Sequence, residues 1–207
     1  MANVMDYIKW RGDIDMEHSP FNDVDNLLFS MISFIDFDGI VPDIPCGFVT
    51  LGKAAEMYFE RTEEQHLSMG MIVPDEIICA FEEMSSASRY RNIKVTYFVD
   101  KTDVGIEQQF SAVTFILPND SGIYIAFRGT DDTLVGWKED FNMSFMNSIP
   151  SQLEAVKYVN RACRSLGYPD TVIGGHSKGG NLAVYGGAFC DDMAKRCITR
   201  IYSNDGP

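Results

Sequence analysis

Gly175-His176-Ser177-Lys178-Gly179 sets a serine between two glycines in the pattern G-x-S-x-G. The motif directly follows the apolar run Thr171-Val172-Ile173-Gly174 and precedes Leu182, Tyr185, Gly186, Phe189 and Met193, which recur at helical spacing. A strand that bends sharply into a helix lifts such a hydroxyl above the sheet edge, where it can attack a carbonyl carbon. Small residues at 175 and 179 let backbone close around the turn, and Gly180 adds room for helix to pack on sheet. The chemistry this permits is acyl transfer through a serine ester. Two blander readings use the same residues: the glycines only make a close turn with Ser177 as a helix cap, or the turn cradles phosphate at a helix N-terminus. The second lacks both G-x-x-x-x-G-K-[ST] and the spacing of G-x-G-x-x-G.

An attacked carbonyl becomes an oxyanion that needs converging donors. The amide of Lys178, the residue after the serine, supplies one. A second is expected from Ala126-Phe127-Arg128-Gly129-Thr130, where a strand ends in a turn whose Thr130 amide or hydroxyl could reach the same oxygen. Serine also needs a general base, and the histidines are His18, His66 and His176. His176 adjoins Ser177, so its side chain should point away. His66 lies in the polar run Glu63-Glu64-Gln65-His66 and reads as a surface residue, whereas His18 precedes a helix start and could approach a site only through tertiary folding. Asp205, ending a strand beside the nucleophile, is the nearest candidate for an activating acid.

The elements that must position these groups follow from periodicity. Val24, Leu27, Leu28, Met31, Ile32 and Ile35 predict a helix from about 20 to 36, opened by Ser19 and Pro20. Thr50 is expected to cap a second helix to about 60, and Pro74-Asp75 to open a third to about 88. From Ile93 the pattern turns to strands near 93–99, 110–117 and 123–127, the last two joined as a hairpin by Asn119-Asp120-Ser121-Gly122. A helix near 150–166, a strand at 171–174, a helix at about 178–195 and a strand at 198–203 follow. Strands alternating with helices imply parallel crossovers and an α/β architecture.

Composition narrows the partners. With 207 residues, 45% of them apolar, the chain can bury one core. A formal charge of −13 repels phosphate backbones, so nucleic-acid binding is not expected. The longest apolar stretch, Leu27 to Ile35, is too short to span a bilayer, and the N-terminus lacks a secretory pattern, which together imply a cytoplasmic protein. Five cysteines without a C-x-x-C pair argue against disulfides and zinc. Met57, Tyr58, Phe59, Met69, Met71 and Ile72 are core in the commoner case, or else line a lid or a dimer surface.

Taken together, Ile125-Ala126-Phe127-Arg128-Gly129-Thr130, then Trp137 and Asp140, then Gly175 to Ala183 resemble the class 3 (fungal-type) lipases of the α/β-hydrolase superfamily. Asp6 to Asp38, with Trp10-Arg11-Gly12-Asp13 and Pro20-Phe21-Asn22, resembles more narrowly an uncharacterised bacterial branch, a domain of unknown function. The resemblance covers nearly the whole chain. It implies an α/β-hydrolase-like three-layer sandwich with a mostly parallel sheet. Residues 1–92 would be its helical N-terminal region and 93–207 a hydrolase core incomplete at its C-terminus. It makes Ser177 the nucleophile and the amides of Thr130 and Lys178 the oxyanion hole, with Arg128, Trp137 and Asp140 supporting the oxyanion loop. The triad acid and histidine follow the nucleophile helix in such lipases and are expected beyond residue 207, as in a truncated hydrolase. The implied function is a serine esterase acting on lipid or small soluble esters, with no cofactor or metal and with homo-oligomerisation open. The competing reading is a catalytically inactive hydrolase fold that serves as a binding module, because the triad Asp and His are missing.

Overall fold

The computed structural model describes residues 3–62 and 75–207. Reciprocal caps start the first two helices. Asn3 accepts the amides of Met5 and Asp6 to open α1 (Val4–Arg11), a helix the periodicity does not predict. Asn22 accepts the amides of Val24 and Asp25 while the Asp25 carboxylate returns to the Asn22 amide, opening α2 (Asp23–Ile32). The expected start at Ser19-Pro20 is thus corrected to Asn22, whose side chain can satisfy free amides where a proline ring cannot. Beyond Ile32 the chain turns, yet Ile35 stays fully buried. The two-residue β1 (Val49–Thr50) leads into α3 (Leu51–Thr62), where Thr50 Oγ1 accepts the Lys53 amide at 3.3 Å. Then comes α4 (Glu76–Ser86).

β2 (Lys94–Asp103), β3 (Gln108–Ile116) and β4 (Ile123–Phe127) are joined by tight turns. Asp103 accepts the Gly105 and Ile106 amides in the first turn, and a 3-10 turn at Pro118–Asp120 makes the second. From β4 the chain crosses through α5 (Leu134–Asn142) and α6 (Pro150–Leu166) to β5 (Thr171–His176). It crosses again through α7 (Lys178–Phe189) and α8 (Asp192–Cys197) to β6 (Ile198–Asn204). The single helix expected over 178–195 is broken at Cys190-Asp191, where the Asp191 carboxylate caps the Ala194 amide at 2.9 Å.

The protein is α/β, with one six-stranded sheet in the order β1-β2-β3-β4-β5-β6. The expectation of a mostly parallel sheet is corrected: pairings from β1 to β4 are antiparallel, and only β4–β5 and β5–β6 are parallel. The cause is connection length, since hairpins force antiparallel neighbours and helical crossovers permit parallel ones.

Helices cover both faces. On β4, Tyr124 and Ala126 pack into a core shared with α1 to α4, whereas Ile123, Ile125 and Phe127 face α6, α7 and α8. A bulge in β2 between Thr96 and Val99 puts Tyr97, at φ 50°, among the second group and Phe98 in the first. Its unpaired backbone groups are satisfied elsewhere: Tyr97 O accepts from the Tyr158 hydroxyl, and the Phe98 amide donates to Pro42 O at 2.8 Å.

The N-terminal segment wraps a buried ion pair. Arg89 donates to Asp25 through Nε and Nη2 and to the carbonyls of Ile14 and Ser19, while the Tyr90 hydroxyl donates to Asp25 Oδ1 at 2.7 Å. Tyr58 is buried and Phe59 packs on the same core, which places these two in the core rather than in a lid. Met69, Met71 and Ile72 lie outside the described residues. All five cysteines are free, and no helix among the described residues is long and apolar enough to cross a membrane.

Candidate functional site

Between β5 and α7, Ser177 adopts φ 55° and ψ −127°, a conformation costly for any residue with a Cβ. Three hydrogen bonds hold it there. Its amide donates to Asn204 O at 2.9 Å on neighbouring β6, and its carbonyl accepts from Gly180 N at 2.9 Å and Asn181 N at 3.3 Å. The flanking glycines are required by contact distance: a Cβ on Gly175 would stand 2.6 Å from Phe127 O, and one on Gly179 would overlap that same carbonyl. Ser177 is half-buried, and its hydroxyl does not cap α7. A serine retained only as a cap would bond the helix amides, so the cap reading loses its mechanism.

A Cβ on Gly129 would lie 2.7 Å from His176 O and 3.5 Å from Ser177 Cβ, so the Gly129-Thr130 turn packs directly against the elbow. The Thr130 hydroxyl is committed, because it donates to Asp140 Oδ2. Its amide donates to no acceptor among the described residues, and the same holds for the Lys178 amide at the first position of α7. These are the two donors the sequence pairs with Ser177.

The Lys178 side chain turns inward and is fully buried. Its ammonium donates to Gln109 O at 2.8 Å, Gln109 Oε1 at 2.6 Å and Glu139 Oε2 at 3.0 Å. Glu139 in turn accepts from Gln109 N, Ser151 N and Ser151 Oγ at 2.8–3.0 Å. Burial holds the Lys178 pKa below its usual range, opposed by the charge of Glu139. Burial likewise raises Asp140, opposed by the Thr130 hydrogen bond. Consecutive residues on α5, Glu139 and Asp140, thus hold the side chains of Lys178 and Thr130. Nothing in the sequence singles out Glu139 or Gln109.

Arg128 pairs through both terminal nitrogens with Asp100, at 2.8 and 3.0 Å, and fastens the turn to β2. Trp137 instead projects outward, 56% exposed, and its side chain makes no hydrogen bond among the described residues. Behind the elbow, Asn204 Nδ2 donates to Gly175 O at 3.1 Å and Ser30 Oγ at 3.0 Å, and Asn26 donates to Asn204 Oδ1 at 2.9 Å. Helix α2 is thereby tied to the Ser177 turn, a link sequence reading missed because its partners are far apart along the chain.

No histidine meets Ser177 among the described residues. His176 is exposed. His18 is exposed too, with Nδ1 2.7 Å from Asp15, whose hydrogen bond raises the imidazole pKa. His66 lies outside the described residues. Asp205, at φ 54°, is exposed and makes no side-chain hydrogen bond among the described residues. No group of three or more His, Cys, Asp or Glu among the described residues is arranged to hold a metal.

No curated protein and no solved structure matches this chain. A family match does exist: residues 84–207, more than half the chain, fit the Mbeg1-like family. That span runs from the end of α4 through β6 and includes the Thr130 turn, α5 and the Ser177 elbow. The chain belongs to the Mbeg1-like family.

Proposed function

We propose that this chain carries the nucleophile and oxyanion donors of a serine hydrolase acting on carboxylic esters, built as an α/β-hydrolase-like sandwich. The observation that carries the reading is the backbone of Ser177, held at positive φ with a hydroxyl that does not cap its helix, against the Gly129-Thr130 turn. In the reaction the Ser177 oxygen bonds to the ester carbonyl carbon as its proton passes to a base. The amides of Thr130 and Lys178 donate to the oxyanion, and the alcohol departs with a proton to leave an acyl-serine. Water then releases the acid by the reverse sequence. On the lipase resemblance that base is a histidine oriented by an aspartate, and no histidine among the described residues stands in that place. Lipid esters and small soluble esters both fit, and the formal charge of −13 disfavours anionic membranes as the substrate surface.

A second reading, an inactive hydrolase fold used for binding, is favoured by one observation: no imidazole stands at Ser177 among the described residues. A fluorophosphonate probe separates the two. The hydrolase reading expects an adduct on Ser177 in the natural protein and none in Ser177→Ala; inertness of the natural protein leaves the binding module.

A further inference from the structure

A cleft of about 680 Å³ opens at the β2 bulge, a volume suited to a small organic ligand. It lies toward the sheet end that carries the Gly129-Thr130 turn, since Asp100 pairs with Ser111 across the strands and Ser111 O accepts the Arg128 amide. The floor is aromatic: Tyr97, Phe110 and Tyr158 are almost wholly buried, with Tyr97 stacked on Tyr158 at a centroid distance of 4.1 Å. One wall, from β2 and α6, presents Lys101, Lys157 and Arg161. Glu154 is the carboxylate among them, bonded to Lys101 at 2.5 Å and Lys157 at 3.0 Å, so this wall keeps a net positive charge. The Arg161 guanidinium stands 5.4 Å from the Tyr97 centroid and pairs with no carboxylate among the described residues.

The opposite wall comes from the segment after α2 and carries Asp36, Asp38 and Asp43. Arg61 reaches the Asp36 carboxylate at 3.4 Å and donates to the Asp38 carbonyl at 2.6 Å, whereas the carboxylates of Asp38 and Asp43 pair with no cation among the described residues. Asp100, at the edge, is already taken by Arg128. An anion alone meets the aspartates, and a cation alone meets the lysines and arginine. A ligand carrying both charges avoids either conflict. The bulge contributes by turning the Tyr97 ring into the floor at a φ that a bulky residue adopts only when its surroundings impose it.

We propose that this cleft binds a small phosphoamine zwitterion. Its phosphate lies on Lys101, Lys157 and Arg161, its ammonium on Asp38 and Asp43, and its linking carbons over Tyr97. The same chemistry occurs in a free phosphoamine and in a lipid head group. Binding does not require Ser177 to react.

Calorimetric titration of the full chain tests this with O-phosphoethanolamine, a short-chain phosphatidylethanolamine below its micelle-forming concentration, inorganic phosphate and ethanolamine. At least one phosphoamine should bind, with each single-charge probe about tenfold weaker or worse; the ratio of the two phosphoamine affinities identifies the free or lipid-borne form. Arg161→Gln should weaken phosphoamine binding about fivefold or more. Asp43→Asn should weaken the phosphoamines without weakening phosphate. Both positions are exposed, and circular dichroism verifies that the variants stay folded. Equal affinity for phosphate and phosphoamine, no saturable binding up to about 10 mM, or indifference to Arg161→Gln overturns the proposal. Ser177→Ala should leave the affinities unchanged, so failure of this cleft and failure of the hydrolase reading are told apart.

Discussion

Lys178 contributes its amide to the candidate site while its ammonium sits in the interior, where only a full set of acceptors offsets lost hydration. Glu139→Gln removes the compensating charge and is expected to destabilise the fold by about 3–5 kcal/mol. Neutralising the lysine as well, Lys178→Met in the Glu139→Gln background, should recover part of that loss, because the amide oxygen still accepts from Ser151 and Gln109 while no unpaired buried charge remains; urea unfolding of the three proteins measures the difference. Asp140 adds a pH dependence. Its folded pKa lies above 3.8, so from there up to the folded value the native state holds more protons than the unfolded chain, and stability falls as pH rises through that window. Asp140→Asn abolishes this slope. Its melting temperature relative to the parent should climb from about pH 4 toward neutrality, and a constant offset would contradict the assignment.

At the level of elements, the elbow was legible because its signal is local: a strand, a glycine-flanked serine and a helix in unbroken succession. Helix α5 was not, because it reads inside out. Its apolar Leu134, Trp137 and Phe141 face solvent at 81%, 56% and 70% exposure, while Gly136 and Glu139 are the buried positions. A pattern search that assumes apolar residues point inward rejects such a helix. The β2 bulge was equally hidden, since an extra residue in a strand leaves composition unchanged and shows only in the pairing register. The antiparallel half of the sheet could have been inferred from its short turns, one of which, 119–122, was read correctly. Contact distances at the elbow carry their own expectation. Gly179→Ala puts a methyl into the Phe127 carbonyl, so the usual helix-favouring gain should reverse into a loss of about 1–3 kcal/mol, with slower labelling of Ser177 by a fluorophosphonate.

Across the whole molecule, the first three helices and α4 share one core with β2, β3 and β4, and Asn26 and Ser30 of α2 bond Asn204 on the strand beside Ser177. They should therefore open with the sheet. Native-state hydrogen exchange is expected to give α2 amides an opening free energy close to that of β5, whereas a detachable lid would exchange far faster. The Asn26–Asn204 bond spans 178 positions of sequence, and the Asn204 carbonyl also receives the Ser177 amide. On a ribosome, then, the early helices can assemble while the serine turn still lacks its support. The hydroxyl acquires its final aim only after β6 has emerged and docked, so a half-made chain holds the Ser177 segment without its finished shape.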